Sequence, residues 1–297
     1  MIFGKKYTIA VHDGKFHADD IFACATLSLL CGGKVKIIRT RDQEKIDNAD
    51  FVVDVGCVND GSKKRFDHHM PGGAGMRENG IPYAAFGLVW KTYGAKISGS
   101  EEVASRVDLR LVCSVDADDN GISLYDLKGE IAPYTLQSFL YTYRPTWKED
   151  SSSYDDAFLE LVKIAEKIIS REIKISSDAL SAKNIILEAY NKAEDKRIVV
   201  SDIACPFQET LFPYDEVLYV VHPRFGSPNW NVSCMHKATH GFENRKSFPE
   251  SWAGLRDEEL ANETGVPDAV FCHNGRFLAV AKSREGAIAL AKLATNS

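Results

Sequence analysis

Short β-branched runs alternate with helical periods through the first half of the chain. Tyr7 to Val11 is apolar and stops at the polar knot His12 to Asp20, as a buried strand does when it opens into a functional loop. Apolar positions then recur at helical spacing from Ile21 to Cys31. Val35 to Arg39 predicts a second strand, and Phe51 to Val55 a third that closes on Gly56. This strand, helix, strand rhythm predicts an α/β domain with a mostly parallel sheet. Ligands of such sheets bind beyond the carboxyl ends of the strands, where His12 and Asp54 both fall. Further helices are predicted over 84–93, 102–114 and 139–143, and a helical connector over 154–173 and 177–193. After Lys196 the pattern turns to strands at 197–201, 217–222, 230–234 and 269–272. The expected organisation is an N-terminal domain with connecting helices, 1–194, and a smaller, sheet-rich α+β domain, 195–297.

Composition narrows the partners. A net charge of -6 excludes a general basic coat, so a polyanion has to be gripped locally. The cysteines at 24, 31, 57, 113, 205, 234 and 272 form no CxxC pair, which fits reduced thiols better than a disulfide framework or a zinc ribbon. The opening lacks the apolar core of a signal peptide, and no run of about 18 apolar residues is present to cross a bilayer. A soluble, cytoplasmic protein without a membrane partner is expected, nuclear or organellar presence staying open.

Three polar groups carry candidate chemistry. Asp67-His68-His69 sets two imidazoles beside a carboxylate; His12, His17, Asp19 and Asp20 follow the first strand; Asp116, Asp118 and Asp119 form an acidic string. Neutral imidazole with carboxylate suits manganese, iron or zinc, whereas a site for magnesium alone would use mainly oxygen ligands. Gathered at one sheet edge, with one carboxylate shared, these groups fit two ions clamping a phosphoryl transfer. The spacing by itself implies metal and phosphate and no more.

His12-x4-His17-x-Asp19, Val53-Asp54-Val-Gly, Asp67-His-His and Val115-Asp-Ala-Asp-Asp-Asn-Gly resemble the four motifs of the DHH phosphoesterase superfamily. Arg65-Phe-Asp-His-His69, Phe242-Glu-Asn-Arg-Lys and Pro249 to Asp257 extend the likeness to the Myg family over nearly the whole chain. The resemblance implies a DHH-type N-terminal phosphoesterase domain, a C-terminal substrate-binding domain, and 3′ to 5′ exonuclease action on single-stranded RNA or short oligonucleotides. It implies two divalent ions, manganese before magnesium. One would take His12, His17 and Asp54; the other Asp19, Asp54, His68 and Asp116, with Asp118 or Asp119 as substitutes for Asp116. Asp67 and His69 are the implied catalytic pair, His69 facing the phosphate. Arg224, Arg245, His273 and Lys282 are the substrate-binding candidates, and Trp230, Phe242 and Trp252 the candidates for stacking bases, at roughly 1 to 3 kcal/mol per stack.

Each residue also has a plainer role to weigh. Asp118 and Asp119 before Asn-Gly fit ordinary turn chemistry, the three aromatics fit core packing, and His222, His236 and His240 fit surface or satisfied core positions. Two other functions stay in view: a small-molecule phosphatase or pyrophosphatase, and a non-catalytic metal-containing binding protein. A homo-oligomer is left open.

Overall fold

The structure, a computed structural model, describes residues 6–127, 129–238 and 241–297; His240 lies outside them. The chain is a mixed α/β protein that divides into two compact units, Met1–Ser177 and Asp178–Ser297.

The first unit is built on β1 (Tyr7–Val11), α1 (Ala18–Leu30), β2 (Val35–Arg39), α2 (Gln43–Asn48), β3 (Phe51–Val53), β4 (Asn59–Asp60) and β5 (Arg65–Phe66). Its helical half holds α3 (Ala85–Ser98), α4 (Glu101–Val107), α5 (Cys113–Asp119) and α6 (Leu136–Tyr141), followed by α7 (Tyr154–Lys192). The sheet order is β2-β1-β3-β5-β4, with β1, β2, β3 and β5 parallel and β4 antiparallel at the edge. Parallel pairing brings the carboxyl ends of β1, β3 and β5 side by side, so His12, Asp54 and Asp67 emerge along one sheet edge.

α1 is apolar almost all round and is buried from Ala18 to Ser28, the signature of a core helix rather than a surface one. It packs on α3, where the Phe22 and Phe86 rings lie 5.3 Å apart. Truncating a fully buried phenylalanine such as Phe22 to alanine costs about 3–5 kcal/mol in cores of this kind. Gly32 and Gly33, both at positive φ, end the helix and let the chain turn back into β2.

Three elements differ from the pattern expected. β3 stops at Val53, because Asp54 takes a left-handed backbone (φ 52°) that no strand continues. The helix expected over 102–114 is α4, a π turn at Asp108–Val112 and then α5. The two connector helices are one continuous helix, since Ser176 and Ser177 carry neither the backbone freedom of glycine nor the missing donor of proline that would break it.

The second unit contains β6 (Ile198–Val200), α8 (Gln208–Leu211), β7 (Tyr219–Pro223), β8 (Trp230–Cys234), α9 (Asp257–Thr264), β9 (Ala269–Cys272), β10 (Leu278–Ala281) and α10 (Arg284–Asn296). Its sheet runs β6-β7-β8-β10-β9, parallel only between β6 and β7. α10 buries Ala287, Leu290, Ala291 and Ala294 in the same core as Tyr219, Val221, Val232 and Ala279. All seven cysteines are free thiols. Among the described residues no helix is long and apolar enough to cross a membrane.

Candidate metal centre

The centre is assembled from loop residues that the parallel sheet delivers to one place. His12 follows β1 directly, and its Nδ1–H donates to the carbonyl of Asp13 (2.8 Å), which turns Nε2 inward. His17 caps α1, its amide donating to Asp20 Oδ1 (3.1 Å). Asp19 and Asp20 fill the first turn of that helix, where the aligned peptide dipoles favour carboxylates, and both are fully buried.

Asp54 stands at the middle. Its Oδ2 lies 3.3 Å from His12 Nε2, and its Oδ1 lies 3.2 Å from His68 Nε2 and 3.3 Å from His69 Nδ1. One carboxylate thus faces an imidazole on one side and two on the other. Asp67 works differently: Oδ2 accepts from the Cys57 amide (2.6 Å), and Oδ1 accepts from the His69 amide (3.1 Å) and from His69 Nδ1–H (2.8 Å). It therefore fixes the loop and orients the His69 ring, whose side chain stays 59% exposed.

Charge crowding shows in the acidities. Burial, then the charges of Asp54 and Asp119, push the Asp19 carboxyl well above the usual range. Burial also raises Asp20, with His12 pulling the other way. Burial acts to raise Asp54 too, but hydrogen bonds from His12, His68 and His69 outweigh it and hold it well below that range. Burial would lower His12, yet Asp20 and Asp54 drive it up to about 10. His69 rises to about 9, chiefly through its bond to Asp54. Protons on the imidazoles are here balancing carboxylates that a divalent cation would balance better.

The residues fit such a cation. Three donor groups have ligand atoms within 4.8 Å of one another: His12, His17 and Asp20; Asp54, His68 and His69; His17, Asp19 and Asp119. Asp19 Oδ1 is buried without a hydrogen bond, while Asp20 Oδ2 and Asp54 Oδ1 are buried against imidazoles alone, 2.9 Å from His12 Nε2 and 3.2 Å from His68 Nε2, positions a cation would take over. His12, His17, Asp54, His68, His69 and Asp119 line a cleft of about 1060 Å³, with Lys15, Arg41, Gln137 and Tyr141 also on its wall.

Most of the residues expected at a metal centre are brought together: His12, His17, Asp19, Asp54 and His68. Asp116 is not. It points to the far side of α5, where its buried carboxylate accepts from Arg77 Nη1 (2.8 Å) and the Gly87 amide (3.0 Å). Asp119, one turn later, has its Oδ2 3.2 Å from His68 Nε2 and occupies the place expected for Asp116. Asp20 and Asp119 both lay within the polar strings visible in the sequence. Arg77 was not foreseen; it grips Asp108 through two nitrogens (2.9 and 2.8 Å) as well as Asp116, and its partners are 31 and 39 residues away.

In the second unit, Arg224 and Lys282 are exposed on loops, and His273 accepts from the Gly275 amide (2.9 Å). Arg245 is engaged otherwise: its guanidinium donates to the carbonyls of Phe212, Tyr214, Val217 and His236. Trp252 is buried against Phe248 in the core, Trp230 is half-buried, and Phe242 is 94% exposed.

Comparison with known proteins matches residues 8–295 to the family described as MYG1_exonuc, Uncharacterised protein family (UPF0160). The chain is 32% identical to a MYG1 protein of Caenorhabditis elegans, covering 96% of this chain and 94% of the relative. It is 30% identical to the MYG1 exonuclease of Homo sapiens, covering 96% and 84%, and 30% identical to a MYG1 protein of Saccharomyces cerevisiae, covering 96% and 94%.

Proposed function

The chain belongs to the MYG1 family, and from that premise we propose that it is a metal-dependent hydrolase of phosphoric esters, a DHH-type phosphoesterase that shortens single-stranded RNA or short oligonucleotides from the 3′ end. The observation that carries the reading is the buried set of imidazoles and carboxylates around Asp54, crowded together at a cleft. The name of the human relative, an exonuclease, supports the choice of substrate class.

His12, His17 and Asp20 would hold one cation and Asp19, Asp54, His68 and Asp119 a second, manganese being favoured by the mixed donor set. Bound there, such ions supply a water of lowered pKa and a clamp for the oxygens of an in-line displacement. The chain's own residues prepare the rest. His69, held by Asp67 and protonated up to about pH 9, offers a positive N–H edge to a phosphate oxygen as charge develops on it. Asp67 keeps that ring aimed, so the pair acts as a unit. Lys15 and Arg41 on the cleft wall add positive charge for an incoming phosphate. Arg224 and Lys282 in the domain 195–297 remain the cations, and His273 a hydrogen-bonding group, proposed for binding substrate, and residence in the cytoplasm belongs to the same reading.

Lys15 and Arg41 also favour a second reading, a phosphatase for small phosphorylated molecules. Digestion of a 5′-labelled single-stranded RNA with manganese, magnesium or chelator separates the two. A metal-dependent ladder shrinking from the 3′ end, absent from an Asp54→Asn variant, supports the exonuclease. Phosphate release from small esters with RNA left intact supports the phosphatase, and no hydrolysis of either rejects both.

A further inference from the structure

A second cavity of about 350 Å³ lies beside the cleft, between the first residue of α1, the end of α5 and the segments 121–125 and 135–137. Asp118 and Gln137 line both cavities, so the two share a wall. Leu124 (57% exposed) and Tyr125 (42% exposed) stand at the second cavity, within a stretch that also exposes Leu127, Ile131, Tyr134 and Tyr141. Scattered apolar residues are normal on a surface, but a concentration of this kind marks a binding face.

Apart from the Asp118 carboxylate on the wall shared with the cleft, the polar side chains of this cavity are already engaged. The Ser123 hydroxyl donates to the Tyr125 carbonyl (2.7 Å), and Thr135 caps α6 by accepting from the Ser138 amide (3.2 Å). Gln137 accepts from the Ala18 amide (2.8 Å) and donates to the Tyr141 hydroxyl (2.6 Å). What is left to meet a ligand, beside that carboxylate, is the aromatic and aliphatic surface of Tyr125, Leu124 and Ile122, one wall away from a site suited to phosphate. A nucleobase presents a π-face of that size, and stacking on it is indifferent to which base it is.

We propose that this cavity seats the base of the nucleotide whose phosphate lies at the metal centre, held by stacking at Tyr125 and Leu124, with all four bases accepted. The proposal rests on the phosphoesterase reading for its phosphate, and its test separates the two. The full chain with manganese is titrated calorimetrically with inorganic phosphate and with each of the four nucleoside 5′-monophosphates, beside Tyr125→Ala and Leu124→Ser, while RNA cleavage is followed in parallel. Both substituted side chains are exposed, so the core is left intact.

The nucleotides are expected to bind about 5- to 160-fold more tightly than phosphate, the range of one base stack. Tyr125→Ala should remove most of that gap and leave phosphate affinity unchanged. Equal affinity for nucleotide and phosphate, no binding of either, or a gap that survives both variants overturns the proposal; so does a preference of more than about tenfold for one base, which stacking does not produce. A gap without RNA cleavage keeps the subsite and rejects the exonuclease, whereas cleavage without a gap does the reverse.

Discussion

Replacing Gly87 with alanine tests the finding that Asp116 serves the fold. A Cβ at position 87 would lie 1.8 Å from Asp116 Oδ2 and 2.8 Å from both Asp116 Cγ and Arg77 Nη2. Ordinary contact needs about 3.5 Å, so the carboxylate has to move and give up the Gly87 amide and its alignment with Arg77. Asp116 is fully buried and the Arg77 side chain is 6% exposed, so the separated charges have no water to turn to. Breaking a buried pair costs about 3–5 kcal/mol. Alanine returns about 1 kcal/mol of helix propensity within α3, leaving a net loss of about 2–4 kcal/mol. For a unit of this length that corresponds to a fall in Tm of roughly 5–15 °C, read by scanning calorimetry on the metal-free protein. A Gly87→Ala protein as stable as the parent would refute the reasoning, because Asp116 could not then sit where it does.

Further outcomes follow from the same geometry. Asp119→Ala should weaken manganese binding by about 10- to 100-fold with little change in Tm, while Asp116→Ala should do the opposite; equilibrium dialysis beside thermal denaturation distinguishes them. His69→Gln should keep metal affinity but lower turnover by about 10²–10⁴, its 59% exposed side chain having little to do with folding; unchanged turnover would remove His69 from the chemistry. His12 holds its proton up to about 10, and a cation must displace it, so apparent manganese affinity should rise about tenfold per pH unit from pH 6 to 9 for that proton alone. Titration calorimetry in buffers of different ionisation enthalpy counts the protons released, and none released would contradict the charge balance described. Arg245→Lys should destabilise the protein by about 2–4 kcal/mol in a denaturant melt, since an ammonium cannot serve four separated carbonyls. Wild-type stability with weakened RNA binding would restore Arg245 as a phosphate ligand.

Part of the candidate site is legible in the sequence alone, because His12 and Asp54 each follow a short apolar strand that ends abruptly in polar residues, and Asp67-His68-His69 stands out by composition. The parallel sheet does the gathering. The choice between Asp116 and Asp119 is of another kind. The two are three residues apart on one helix, and the direction of each carboxylate is decided by a guanidinium 39 residues from Asp116 in the chain and by the amide of a glycine on α3. Local pattern holds no record of such partners. The undivided α7 is illegible for a different reason: serine is a weak helix former that tertiary context readily carries, so the gap expected between 173 and 177 is not made. Arg245 looks like a loop cation in the sequence and is a tie between carbonyls in the fold, a distinction that only burial reveals.

The left-handed backbone at Asp54 also narrows which replacements the position tolerates. Outside glycine, that conformation is entered cheaply by aspartate and asparagine, and a longer or branched side chain would strain the turn before any question of charge arose. Glutamate, the obvious acidic relative, is therefore a poor substitute, and alanine mixes conformational strain with lost ligation. Asparagine alone keeps both the turn and the side-chain outline while deleting the negative charge. Under the proposed exonuclease reading, Asp54→Asn is thus the variant of choice for capturing an uncleaved oligonucleotide, because it deletes the central charge and keeps the turn.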